Sequence, residues 1–150
     1  MPHIHLLIGI IFVNILQIDS FSNMLLILGC VLPDADIFLG ILQKKNHRTY
    51  FPHYPMVWIF LTSFSFLLKS NFYWFFLGGF IHLMSDMIDW NVYIFAPFSD
   101  YSVSLLNLDP LEILEESNPV NFIKNYYRKQ QIIVVELMIF LFGVFTFIWN

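Results

Sequence analysis

Charge is scarce in this chain. Of 150 residues, 7 are Lys or Arg and 11 are Asp or Glu, so charged residues make up 12% and the net charge is −4. The basic residues are dispersed, which leaves no cationic stripe for a phosphate backbone and argues against nucleic acid as a partner. Cysteine is almost missing too. Cys30 stands alone, which excludes an intrachain disulfide and a cysteine-based zinc site. No Lys or Arg precedes the first apolar run and no A-x-A-like site follows it, so a cleavable signal peptide is not expected. There is no internal repeat and no low-complexity linker, and the length suits one domain, residues 1–150.

What the chain has instead is hydrocarbon. It is 58% hydrophobic, carries 18 Phe and has a mean hydropathy of +0.68. That composition points to a membrane protein. Five apolar segments stand out: Ile4 to Ile18, Met24 to Leu42, Pro55 to Leu68, Phe72 to Phe95, and Ile132 to Trp149. The expected fold is an all-α integral membrane helical bundle of four to five transmembrane helices. The first segment is short for a span. Pro33 should break or kink the second, because proline removes a backbone donor and clashes with the preceding turn. Asp109-Pro110 reads as the start of a short interfacial helix, and Ser117 or Asn118 before Pro119 as the start of another.

Every basic residue except Lys69 falls in two connections, Lys44, Lys45 and Arg48 in one and Lys124, Arg128 and Lys129 in the other. With five spans these connections share a side with the N-terminus. The positive-inside rule makes that side cytoplasmic, in the inner membrane.

The polar residues are then few and oddly placed. Within Gly78-Gly79-Phe80-Ile81-His82-Leu83-Met84-Ser85-Asp86-Met87-Ile88-Asp89-Trp90, helical spacing puts His82 and Asp86 on one face, with Asp89 continuing the row. Asp34 and Asp36 flank the Pro33 break, His47 and His53 lie in the following loop, and His5 opens the first segment. At 1.5 Å per residue, Asp34 and Asp36 lie roughly 15–18 Å along their segment and His82 and Asp86 roughly 15–21 Å along theirs. All of these converge towards the cytoplasmic half of the bilayer. Burying imidazoles and carboxylates in an apolar bundle costs several kcal/mol unless something binds them. A divalent cation is one such partner; a hydrogen-bonded polar helix face is the other. Four imidazoles and three carboxylates (His5, Asp34, Asp36, His47, His53, His82 and Asp86) are enough for two or three ions. Two ions can clamp a phosphoester and activate water. Arg48 can hold a phosphate oxygen or simply mark the cytoplasmic side. Glu136 or Asp89 can serve as base or orienting group, although Glu136 can also snorkel to the interface. His3 reads as an exposed terminal residue.

The order His5-Leu6-Leu7, Gly29-Cys30-Val31-Leu32-Pro33-Asp34-Ala35-Asp36, His47-Arg48 with His53, His82-x-x-x-Asp86 and Ala96-Pro97-Phe98 resembles the YdjM-like family. The resemblance covers about residues 1–100. It implies a membrane-bound, metal-dependent hydrolase, some relatives being linked to the LexA damage response. That family in turn is distantly similar to zinc-dependent phospholipase C and P1-type nucleases. By that likeness the metal would be zinc, with manganese as the alternative, and Asp36, Arg48 and Glu136 the catalytic candidates. The segment Thr49-Tyr50-Phe51-Pro52-His53-Tyr54 departs from the usual H-R-G-x-T-H-S by one residue, and Ile88-Asp89-Trp90-Asn91 replaces a Thr-Gly ending.

The resulting expectation is a metal-dependent hydrolase of phosphoester bonds, with the bilayer as partner and a lipid phosphate or phospholipid as substrate. A non-enzymatic metal-binding protein or metal-ion transporter is the alternative. Oligomeric state is not legible.

Overall fold

The structure is a computed structural model that describes residues 2–36, 51–106, 124 and 126–149. Five α-helices fall within them: α1 (Pro2–Leu16), α2 (Ser20–Val31), α3 (Pro55–Leu67), α4 (Tyr73–Asp89) and α5 (Gln130–Trp149). Each begins or ends for a local reason. Proline takes the first position of α1 and of α3, where its missing N–H is not needed. Asp19 caps α2, its carboxylate accepting from the backbone N–H of Phe21 and Ser22 at 3.1 Å and from Ser22 Oγ at 2.6 Å. The α1–α2 and α3–α4 corners pass through the left-handed residues Gln17 (φ 49°) and Lys69 (φ 53°).

Pro33 acts as expected. The helical ladder of α2 stops at Val31 and the chain tightens into a 3-10 turn, Leu32–Asp36. A second 3-10 turn, Phe51–His53, leads into α3.

The fourth apolar segment corrects the expectation of one continuous run to Phe95. Helix α4 ends at Asp89, and Trp90 is extended (φ −122°, ψ 156°). Residues beyond it form a two-residue antiparallel ladder, β1 (Val92–Tyr93) with β2 (Ser102–Val103). Trp90 leaves the helix because its ring is buried against Tyr126 and Ile132. The interfacial helix expected from Asp109-Pro110 and the start at Ser117 to Pro119 lie outside the described residues.

Helix direction alternates. Leu26, Gly29, Cys30 and Asp34 meet Gly78, Phe75, His82 and Asp86 respectively, so α2 and α4 run parallel. On α1, Ile4 and His5 share a cavity with Ile132 and Glu136, and Asn14 Nδ2 donates to the Thr146 carbonyl at 2.7 Å, so α1 and α5 are parallel as well. Glycine makes the central crossing possible. A Cβ on Gly29 would stand 2.0 Å from the Phe75 carbonyl oxygen, and one on Gly78 2.3 Å from that of Leu26. The next residue, Gly79, receives the Trp58 ring of α3, which a Cβ would meet at 2.2 Å. Adjacent glycines thus seat α2 and α3 on two sides of α4.

Among the described residues one helix, Gln130–Trp149, is long and apolar enough to cross a bilayer, with a hydropathy of 2.5. It is apolar all round, and Phe140, Phe142, Phe145, Phe147 and Ile148 are exposed on it. Helices α1, α2 and α3 are shorter apolar segments.

Candidate metal centre

Five of the residues singled out above come together at one end of the bundle. His5 comes from the first turns of α1, Asp34 from the turn after α2, His53 from the turn before α3, and His82 and Asp86 from α4. All five are buried, His82 and Asp86 completely. The alternating helix directions explain the meeting, since they bring the ends of α2 and α4 beside the starts of α1 and α3.

Each ring is held from behind. His82 Nδ1 donates to the Cys30 carbonyl at 2.8 Å. That carbonyl lies in the last turn of α2, where helix termini leave acceptors without helical donors, and Pro33 supplies no N–H nearby. Ser85 Oγ donates to the His82 carbonyl at 2.7 Å, so its single proton is committed, and it accepts from His5 Nδ1 at 2.8 Å. Both rings therefore carry their proton on Nδ1 and turn Nε2 inward. Trp58 Nε1 donates to the Pro52 carbonyl at 2.6 Å, which ties the His53 turn to α3.

The inward atoms face each other at unusual distances. His5 Nε2 is 3.6 Å from Asp34 Oδ2 and 3.2 Å from Asp86 Oδ1. His82 Nε2 is 3.7 Å from Asp34 Oδ1 and 3.6 Å from Asp86 Oδ2. His53 Nε2 is 4.0 Å and 3.8 Å from the same two oxygens. A charge-assisted bond between imidazolium and carboxylate closes to about 2.7–2.9 Å, and most of these contacts are clearly longer. Ligands placed tetrahedrally at about 2.0–2.1 Å from one ion stand about 3.3 Å apart, which is nearer to what is seen. His82 Nε2 and Asp34 Oδ2 are buried with no hydrogen-bond partner among the described residues. Leaving such groups unmatched costs roughly 1–3 kcal/mol each. The donor set thus fits a divalent cation. Two groupings satisfy ligand spacing, His5–Asp34–His82 and His53–His82–Asp86, the atoms of each lying within 4.8 Å of one another.

Other expected residues lie elsewhere. Asp89 does not continue the row: at the end of α4 its carboxylate accepts from the Tyr126 hydroxyl. Burial, reinforced by the Asp89 carboxylate, raises the Tyr126 phenol above its ordinary pKa, so it stays a donor. Glu136 is outside both groupings. It faces His3 Nε2 at 3.7 Å and accepts from Tyr127 at 3.4 Å, and it lines a cavity with His5, Ser85, Asp89 and Tyr126. The Asp36 side chain, His47 and Arg48 lie outside the described residues. Ser85 and the Cys30 carbonyl are orienting groups that motif reading missed. Ser85 left a faint signal, since a serine can bond back to the carbonyl three residues earlier; a backbone carbonyl leaves none.

A family model for the YdjM inner membrane protein matches residues 1–150. The chain belongs to the YdjM family. For this YdjM chain no curated protein and no solved structure gives a significant match. The buried His/Asp cluster and an apolar, exposed α5 are therefore features of an inner membrane protein family.

Proposed function

We propose that this YdjM protein is a membrane-embedded, metal-dependent hydrolase of phosphoester bonds. The observation that carries the reading is the convergence of three imidazoles and two carboxylates, all buried and mostly spaced beyond hydrogen-bond length. A bound zinc or manganese ion supplies two effects, a coordinated water acidified towards neutral pH and a polarised phosphoryl oxygen. The protein's part is to hold and orient. Cys30 and Ser85 fix the His82 and His5 rings, and burial excludes bulk water from the donors. A cavity of about 30 Å³ separates His5 and Ser85 from Glu136, room for one or two waters at roughly 10–15 Å³ each. Across it Glu136 can accept a proton at its carboxylate and Asp89, held by Tyr126, can order the water. Asp36 and Arg48 keep the roles given by the family likeness, proton handling and phosphate binding.

The substrate reading is a lipid phosphate or phospholipid. An apolar groove of about 660 Å³, walled by Ile8 and Phe12 of α1 and Leu77, Ile81 and Met84 of α4, ends at Ser85 beside the cluster. Four to five spans, with the N-terminus and cluster towards the cytoplasm, agree with the alternating helix directions and with the position of the basic residues. The test is hydrolysis of a panel of lipid phosphates, phosphodiesters and soluble phosphoesters by purified protein loaded with zinc or manganese. Turnover abolished by His82→Ala is expected. A panel inert with metal-loaded protein would remove the hydrolase reading.

A further inference from the structure

We infer that Asp34 and Asp86 divide the cluster into two unequal cation positions. This rests on the metal reading above and deepens it. Both carboxylates are split in the same way. Asp34 turns Oδ2 and Asp86 turns Oδ1 towards His5. Their other oxygens, Asp34 Oδ1 and Asp86 Oδ2, face both His53 and His82. Donors gathered on one ion would share oxygens; here the histidines are sorted by which oxygen they approach.

The chemistry of the ligands enforces the sorting. An imidazole nitrogen has one lone pair and serves one ion, and the Nδ1 atoms of His5 and His82 are already engaged with Ser85 and Cys30. A carboxylate has two oxygens and can bridge. One position therefore has four donors, His53, His82, Asp34 Oδ1 and Asp86 Oδ2, the closed set of a tightly held tetrahedral ion. The other has three, His5, Asp34 Oδ2 and Asp86 Oδ1, and leaves coordination open for water or a substrate oxygen. His5 and His82 stack with ring centroids 3.9 Å apart, so neighbouring rings address different oxygens of the same two bridges. Ser85 belongs to the open position, as the residue that positions His5.

The test is stepwise metal removal from the full-length protein in detergent. Protein loaded with zinc is treated with a weak and then a strong chelator, and zinc per chain is measured at each step. Two equivalents are expected in wild type, one released by the weak chelator. His5→Ala should keep one equivalent, released only by the strong chelator, whereas His82→Ala should lose the tight one. Ser85→Ala should weaken only the first-released ion, about 10–100-fold, with Ser85→Thr restoring it; this pair serves if His5→Ala fails to fold. Manganese-loaded wild type should show the exchange-coupled EPR spectrum of a bridged pair, replaced by an isolated-ion signal in His5→Ala. One equivalent in wild type, or equal losses in His5→Ala and His82→Ala, would overturn the division while leaving the metal reading intact. No metal in wild type would instead remove the reading beneath it.

Discussion

Replacing Gly29 with alanine should damage the metal centre without touching a donor. The added Cβ would lie 2.0 Å from the Phe75 carbonyl oxygen and 3.0 Å from Gly78 Cα, whereas ordinary contact begins at 3.4 Å. The obstacle is backbone on both helices, so no side chain can rotate away, and α2 and α4 must separate locally by more than 1 Å. Overpacking of this kind costs roughly 1–3 kcal/mol. Asp34 follows α2 by only a few residues, while His82 and Asp86 belong to α4, so the separation is carried into the donor set. Metal sites tolerate ligand displacements of about 0.2 Å. Gly29→Ala should therefore lower the unfolding temperature in detergent and reduce bound metal well below one equivalent. Gly143→Ala is the control, because its Cβ would meet only methyl and methylene carbons of Leu7 and Ile11 at 3.3–3.4 Å; it should leave metal content unchanged. Gly29→Ala with wild-type stability and full metal would refute the claim that the glycine crossing sets the donor geometry.

Trp58→Phe removes the indole bond to the Pro52 carbonyl. It should cost about 1 kcal/mol of stability and weaken metal retention through His53, measurable by chelator competition. Capping of α2 by Asp19 should show in pH dependence. Hydrogen bonds from the Ser22 side chain and then its backbone hold the Asp19 carboxyl below its usual pKa, so its stabilisation is present above the unfolded value and lost as pH falls through the folded one. The unfolding temperature of Asp19→Ala should therefore lie below wild type at neutral pH, the gap closing below about pH 4. Removing metal should destabilise the chain itself, because binding at about 100 times Kd contributes about 2.7 kcal/mol. A fall of about 5–10 °C in the unfolding temperature on chelation follows, reversed by adding metal back; an unchanged melting curve would count against a structural ion.

Much of this was legible because the signals were loud. A carboxylate or imidazole inside a nearly uncharged apolar run stands out, and Asp34, His82 and Asp86 do meet, with His5 and His53 beside them. The break at Pro33 and the starts at Pro2 and Pro55 follow from backbone chemistry that any sequence displays. The end of α4 was hidden, since an apolar stretch such as Trp90 to Phe95 reads alike as buried helix or short strand. Only the tertiary contact of Trp90 with Tyr126 decides it. Asp89 and Glu136 could be placed near the centre by depth, but their partners Tyr126, Tyr127 and His3 are set by how α5 packs on α1 and α4. The tight Gly29–Gly78 approach was likewise invisible, because helix-to-helix register has no local signature.

The most direct measurement is the divalent metal content of the purified wild type beside Asp34→Ala and His82→Ala, with folding of each checked by circular dichroism. Zinc or manganese bound stoichiometrically in wild type and lost from both folded variants is the predicted result. A folded wild type free of metal, or variants that retain as much as wild type, would contradict the account.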